Sequence, residues 1–234
     1  MAKRELEEIN AGSMADIAFL LLIFFLITTT MNTPKAVDER LPQKTPDNMD
    51  VPLVNPDNVL SIFASGTGRI MIEEEPAELE DIKDWVIKFY DHPDNAAKLP
   101  GYTNRTKSNI EADIKRFEGG VALNDPLTVN FYSDSLKKWE KKLRVATLIG
   151  PYRDITDKAM VTIQLHNSTK FSVYLEILDQ ILMGLNELRD NMCMEKFGKP
   201  YRKLKGDVED DKPLLEAVKQ VFPKRIMKAK ARNT

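Results

Sequence analysis

The chain has 234 residues, of which 34 are Lys or Arg and 36 are Asp or Glu, so its formal net charge is −2. That balance gives no electrostatic argument for nucleic-acid binding. The single cysteine, Cys193, excludes an intrachain disulfide, and neither metal-ligand spacing nor a catalytic arrangement is visible in the sequence. We therefore expect no metal, no cofactor and no enzymatic activity.

The first predicted element is a transmembrane helix over residues 14–31, preceded by a cytoplasmic tail of residues 1–13. The segment reads MADIAFLLLIFFLITTTM, and mostly apolar runs of about 18 residues or more are candidate membrane spans. Lys3 and Arg4 favour a cytoplasmic N-terminus, with the rest of the chain outside the cytoplasm. A cleaved signal peptide is the alternative, which early acidic residues and the missing small-x-small site disfavour.

Asp16 places a carboxyl group inside this apolar run. A carboxylate near a bilayer core costs about 2.5–3.5 kcal/mol, so the neutral form is favoured there. Moving one charge through a potential of about 100 mV is worth about 2.3 kcal/mol, a comparable energy that can drive protonation and deprotonation. Gly12 and Ser13 lie on the same helical face and allow another helix to approach. A solvated Asp16 at the membrane interface is the open alternative.

The segment from Ile9 to Asp16, INAGSMAD, followed by IAFLLLIFFLITT, resembles the opening of ExbD/TolR proteins. Weaker resemblance returns at Val59–Ile72 and Met160–Leu188, and the stretch from Tyr174 to Ile226 looks like a long, divergent ExbD branch. The resemblance implies that Asp16 is the proton-carrying residue. Its supporting residues in the membrane motif would be Asn10, Gly12, Ser13, Thr28 and Thr29. Gly12-Ser13 departs from the Thr-Pro of many members, which affects local helix geometry.

The resemblance also implies partners and a location. Two copies of the chain would place their helices inside a pentamer of an ExbB-like polytopic protein in the bacterial inner membrane. Proton passage would drive rotation, and dimeric periplasmic domains would act on a TonB-like protein that opens outer-membrane transporters. A Tol-Pal-like, motility or secretion motor is the alternative client system. A membrane-anchored envelope-binding module without a proton role is the second alternative.

Residues 32–58 are rich in Pro, Asp, Asn and Lys and predict an extended periplasmic linker. Leu41 and Pro42 resemble a short Leu-Pro element that follows the membrane helix in the family. We therefore expect these two residues to contact a partner.

Residues 59–222 predict a periplasmic α+β domain with the order strand-strand-helix, then strand-helix. The strands are Val59–Ala64, Arg69–Ile72 and Ala159–Leu165, by their alternating patterns. Pro76 is expected to open the first helix, which runs to Tyr90. The second helix carries an apolar stripe that predicts core packing rather than dimer contact, formed by Tyr174, Ile177, Leu178, Ile181, Leu182, Leu185 and Leu188.

Residues 91–158 predict a helical insertion, or equally a partner-binding surface. We expect a loop over 91–107 and a helix capped by Ser108 and ended by Gly119-Gly120. A strand over Leu127–Tyr132 and a helix over Ser135–Ile149 complete this prediction.

The chain ends in a short helix, Leu214–Phe222, and a basic tail, residues 223–234. Anionic lipid or peptidoglycan carboxylates are possible ligands of this tail. Cys193 is expected to be a small, part-buried apolar residue in a helix. His92 and His166 stand alone in the sequence and are expected to be structural or solvated.

Overall fold

The computed structural model describes residues 11–29, 55–93, 96–122 and 129–229, and it divides the chain into two compact units, residues 1–45 and 46–234. The first unit contains helix α1, Ala11–Thr29. This helix confirms the helical prediction for the N-terminal apolar segment. Its side chains are described from Met14 to Phe25.

The second unit is a mixed α+β domain, which confirms the predicted fold class for this part of the chain. In chain order its elements are β1 Val59–Ala64, β2 Ile70–Ile72, β3 Glu75–Ala77, α2 Asp81–Tyr90, β4 Tyr102–Arg105, α3 Lys107–Ala122, α4 Val129–Ile149, β5 Tyr152–Ile155, β6 Met160–Leu165, α5 Phe171–Phe197, α6 Asp211–Val221 and β7 Ile226–Lys228.

The larger sheet has the strand order β3-β2-β1-β6-β7. Strand β6 is parallel to both β1 and β7, whereas β2 is antiparallel to β1 and β3. Strand β1 turns its buried residues, Leu60, Ile62 and Ala64, towards one face. Helices α2 and α5 pack against that face and complete the main hydrophobic cluster.

Close packing of α2 against α5 depends on Gly184. A Cβ at this position would lie 2.9 Å from the carbonyl oxygen of Lys83 and 3.2 Å from the Val86 side chain. The predicted apolar stripe of α5 is part of the main cluster, which confirms its assignment to core packing.

The antiparallel hairpin of β1 and β2 confirms the sequence prediction. Gly68 adopts a φ of +84° in its turn. The prediction for Pro76 is wrong, because this residue lies in β3, at the edge of the sheet. Proline has no N–H to donate, and an edge strand tolerates this loss. The helix begins five residues later, at Asp81.

The region 91–158 differs from its prediction at several points. Strand β4 lies in the predicted loop and pairs antiparallel with β5, which was not predicted. Residues 129–132 of the predicted strand belong to helix α4, and 127–128 lie outside the described residues. Tyr132 packs against Phe117, with ring centroids 6.3 Å apart, so the α3–α4 pairing overrides local strand propensity.

Helix α3 is capped by Thr106 rather than Ser108. The Thr106 hydroxyl accepts the N–H of Asn109, while the Asn109 carboxamide oxygen accepts the N–H of Thr106. This reciprocal arrangement is a capping box, in which both partners satisfy otherwise free N–H groups. The helix also continues through Gly119-Gly120, where the sequence predicted its end.

A second hydrophobic cluster joins this region to the C-terminal part of the chain. Its buried members come from α3, α4 and β5 on one side and from α5, α6 and the segment between them on the other. The region 91–158 is therefore built into the domain through a core of its own.

Part of the predicted basic tail completes the sheet. Residues 226–228 form β7, in which Ile226 pairs with Val161 and Lys228 with Ile163. The preceding Arg225 donates to the carbonyl oxygen of Thr156 at 2.8 Å. Residues 230–234 lie outside the described residues.

Candidate functional site

Helix α1 carries large apolar side chains on every face. The seven consecutive residues 19–25 are all Phe, Leu or Ile, and each is between 36% and 62% exposed. Seven residues make almost two turns of an α-helix, so they point in all directions around its axis. A helix that is apolar all round requires an apolar environment on all sides.

Asp16 is the one ionisable residue between Ala11 and Thr29. It lies on the helix with its side chain exposed, and Gly12 and Ser13 occupy the two preceding positions on its side of the helix. The backbone places Thr28 and Thr29 in the last turn of α1. Three other predicted residues, Asn10, Leu41 and Pro42, lie outside the described residues.

Over the part of the chain that the structure describes, no helix combines the length and the apolarity that a membrane span requires.

A buried ion network ties α4 to the two-stranded β4–β5 sheet, and sequence reasoning missed it. The Lys142 ammonium lies 2.5 Å from Asp154 Oδ2, and Arg105 Nε lies 3.1 Å from the same oxygen. Trp139 stacks beside both cations, with the Arg105 guanidinium 4.7 Å and the Lys142 ammonium 5.3 Å from its ring centroid. Asp113 approaches Arg105 at 3.6 Å from the side of α3.

Two signals in the sequence point to this network. Asp154 interrupts the apolar residues of β5, and Lys142 lies on the otherwise apolar face of α4. Neither signal identifies the partner, because the residues come from separate elements. Arg105, Lys142 and Asp154 hold the second cluster to the two-stranded β4–β5 sheet, which is a structural role.

A cavity of about 420 Å³ adjoins this network, between the two-stranded β4–β5 sheet and α5. Its lining includes Tyr102, Arg153 and Tyr152, and the Arg153 guanidinium stacks 4.1 Å from the Tyr102 ring centroid. The Tyr152 hydroxyl is buried and makes no hydrogen bond within the described residues. Burial raises the pKa of Tyr152 above its ordinary range, so this hydroxyl stays neutral.

The histidines and the cysteine occupy structural positions. His92 is buried, with its Nε2 3.1 Å from the carbonyl oxygen of Pro100. His166 contacts the Ser168 hydroxyl at 2.7 Å in the turn before α5. Cys193 lies in α5, as predicted, but it is fully buried rather than part-buried, and burial raises the pKa of its thiol to about 11. No group of three or more His, Cys, Asp or Glu is placed for a metal ion among the described residues.

Comparison with known proteins gives one positive finding. The family model described as biopolymer transport protein ExbD/TolR matches residues 2–186, which is most of the chain. The match includes α1 with Asp16, the linker region, most of the sheet and the first half of α5. No curated protein and no solved structure matches the chain.

Proposed function

Since the chain belongs to the ExbD/TolR family of biopolymer transport proteins, we propose that it is a proton-driven motor subunit of an inner-membrane complex. In this proposal α1 crosses the membrane once, with the N-terminus in the cytoplasm. Asp16 takes up and releases protons, the linker transmits the resulting movement, and the periplasmic domain acts on a TonB-like client. The observation that carries the proposal is a helix that is apolar all round and contains a single ionisable side chain.

The surroundings of α1 follow from its surface. Lipid or partner helices must cover the apolar side chains of residues 19–25, since water around them would be unfavourable. Partner helices are favoured near Asp16, because Gly12 and Ser13 let another backbone approach this side of α1. A pentamer of an ExbB-like polytopic protein that encloses two copies of α1 meets both requirements. Membership of the family implies association with a partner of this general type.

Protonation of Asp16 can then do mechanical work. Inside a protein-lined membrane site the charged and neutral forms differ in free energy by several kcal/mol, about the scale of one charge crossing about 100 mV. Each proton uptake or release would change how α1 packs against its neighbours. Asn10, Thr28 and Thr29 would support this helix, and Leu41 and Pro42 would contact the partner just outside the membrane.

Substitution of Asp16 tests the proton role directly. We expect Asp16→Asn to abolish proton flux in proteoliposomes that contain the chain with its co-purified partners, because the amide cannot exchange a proton. Asp16→Glu should retain part of the flux. Asp179→Asn is the matched control, since it makes the same change at an exposed position on α5. Flux is measured with a pH-sensitive dye under an imposed potential, at equal protein levels.

The same experiment separates the motor from an envelope-binding module anchored by α1. If Asp16→Asn conducts protons and supports energy-dependent envelope function like the parent chain, the proton role is wrong. Intact mass of the mature chain provides the second check. A chain that lacks its first 30 or so residues would point to a cleaved signal peptide and remove α1 from the working protein.

Purification in mild detergent identifies the client system. A TonB-type system predicts that a polytopic partner and a TonB-like chain co-purify, whereas a Tol-Pal-like, motility or secretion motor predicts a different third component. Recovery without any polytopic chain contradicts every motor assignment. Binding of the C-terminal segment to anionic lipid or peptidoglycan is tested in parallel by substitution of Lys224. This lysine is exposed just before β7.

A further inference from the structure

A long groove lies between α4 and α6, on the part of the domain formed by the second hydrophobic cluster. Its volume is about 1000 Å³. The lining positions on α4 are 141, 144, 145 and 148, which fall on one helical face by their spacing. Side chains from α4 and from α6 with the segment before it thus line the groove.

The groove carries a surplus of unpaired positive charge. Lys141 and Arg144 contribute from α4, and Lys212 and Lys219 contribute from α6. Among the residues that the structure describes, none of these four cations has an ion-pair or hydrogen-bond partner. The neighbouring Lys142 shows the contrast, since it is buried and paired with Asp154.

Two acids also line the groove, and they make it selective. Glu209 and Glu216 lie among the cations, so a uniformly negative surface would meet repulsion at these points as well as attraction. A segment with several acids and an occasional basic or neutral residue would fit this charge pattern better.

The floor of the groove is apolar. Val145 and Ala217 are buried there, and Leu148 remains 41% exposed at its side. Leu148 offers an apolar contact between the cations, and acidic side chains flanking an apolar anchor would complement the charges on either side of it.

We propose that the α4–α6 groove binds an acidic, amphipathic helical segment of a partner protein. The apolar face of the segment would cover Leu148 and the floor, and its flanking carboxylates would pair with Lys141, Arg144, Lys212 and Lys219. This is the helix-in-groove mode of recognition. The proposal goes beyond the proton role of α1 and stands whether or not Asp16 carries protons.

Photo-crosslinking in living cells tests the site in the full-length chain. We would incorporate p-benzoylphenylalanine in place of Leu148. In any protein that crosslinks to it, we would identify the crosslinked residue. The control position is Lys199, which is exposed beyond the end of α5. The expected result is a crosslink from position 148 to a segment rich in Asp and Glu with apolar residues at helical spacing, and none from position 199.

Charge reversal then tests the mechanism with a defined probe. The mapped segment, synthesised as a labelled peptide, should bind the purified full-length chain with an affinity that falls as salt rises. The double variant Lys141→Glu/Arg144→Glu should bind about tenfold more weakly. Lys199→Glu/Lys203→Glu changes the same charges at exposed positions outside the groove and should bind normally. Leu148→Ser should weaken binding without changing the salt dependence.

Each outcome decides the proposal. Crosslinks to a basic or wholly apolar segment, or no protein crosslink from position 148, overturn it. So does charge reversal that leaves peptide binding unchanged in a variant with unaltered tryptophan fluorescence. Vesicles containing phosphatidylglycerol and soluble peptidoglycan fragments are the competitors. If either binds the groove and the peptide does not, the site is a lipid or glycan site and the proposal is wrong.

Discussion

The two hydrophobic clusters of the second unit are stabilised by different chemistry. The main cluster, between the sheet and helices α2 and α5, consists of apolar side chains in layers. The second cluster adjoins a buried lysine-aspartate pair, a buried tyrosine hydroxyl without a hydrogen bond among the described residues, and a cavity. Burial of apolar area stabilises the first, whereas the second also depends on ion pairs that must remain matched.

The two tryptophans report these regions separately. Trp85 packs against the main cluster, and Trp139 packs against the second. In the Trp139→Phe variant the fluorescence of the remaining Trp85 reports unfolding of the main cluster. In the Trp85→Phe variant the fluorescence of Trp139 reports unfolding of the second cluster. Urea unfolding of the full-length chain in these two backgrounds therefore measures whether the clusters unfold together.

The largest expected effect is loss of the Asp154 carboxylate. Asp154→Ala leaves the buried Lys142 ammonium and the Arg105 guanidinium without their shared partner. We expect the free energy of unfolding reported by Trp139 to fall by about 3–5 kcal/mol. Asp134→Ala, which removes an exposed ion pair from the same α4 helix, should cost at most about 1 kcal/mol. If the two variants lowered the free energy of unfolding equally, the buried network would contribute no more to stability than an exposed ion pair.

The next largest effect on the free energy of unfolding is expected from substitution of Gly184, with Gly119 as the comparison. In Gly184→Ala the new methyl group lies 2.9 Å from the carbonyl oxygen of Lys83, so α2 and α5 must separate. We expect Trp85 to report a destabilisation of about 1–3 kcal/mol. Gly119→Ala, with no atom within 4 Å of the added Cβ, should stabilise α3 by about 0.5–1 kcal/mol. A destabilising Gly119→Ala would contradict the continuous course of α3.

A smaller, pH-dependent effect is expected at Asp157, where α4, the loop after β5 and the segment before β7 meet. Burial opposes its charged form, but pairing with Lys138 and the nearby charges of Lys142 and Arg225 lower the pKa of this carboxyl below its ordinary value of 3.8. The stabilisation is therefore present above pH 3.8 and is lost as the pH falls through the lower, folded-state pKa.

Asp157→Asn should cost up to about 1 kcal/mol at neutral pH, because the group is partly exposed. The difference from the parent chain should vanish in acid, below the folded-state pKa. Urea unfolding at several pH values measures it. A difference that persists or grows in acid would contradict the assigned cause.

The smallest effect is expected in the chemical labelling of Cys193, which should be very slow in the native state. Its thiol is fully buried and its pKa is raised to about 11 by burial, so very little thiolate exists at pH 8. A maleimide should label it only when the second cluster opens. Asp154→Ala should therefore accelerate labelling, whereas Gly119→Ala should not. Rapid labelling of the parent chain would show that the second cluster opens readily.

Sequence reasoning predicted the elements whose signal is local and repeated. The alternation of β1 and β6 and the long apolar stripe of α5 each define their own buried face, so their positions agree with the structure. The composition of α1 likewise defines an apolar helix with one acid. The ExbD/TolR assignment, made from the residues around Asp16, is confirmed by the family match.

Failures occurred where a local signal was weak or ambiguous. Residues 129–132 favour a strand by composition but join α4, because pairing with α3 packs the half-buried Tyr132 against Phe117. Strand β7 has three residues and lies within a basic segment, so its pattern is too short to read. The role of Asp16 is a proposal that the proton-flux experiment addresses, and the partner contact of Leu41 and Pro42 stays a prediction.

The sequence by itself determined an apolar N-terminal helix with a carboxyl group inside it, a core of alternating strands and one long amphipathic helix. These features depend on residues close together in the chain, where the spacing of apolar side chains defines a face. Only the tertiary structure decided that β7 is an edge strand of the larger sheet and that α4 and α6 form a charged groove. It also decided that Arg105, Lys142 and Asp154 meet. Those contacts join residues far apart in the chain, and the partner of a charge or strand edge is fixed only when the whole domain packs.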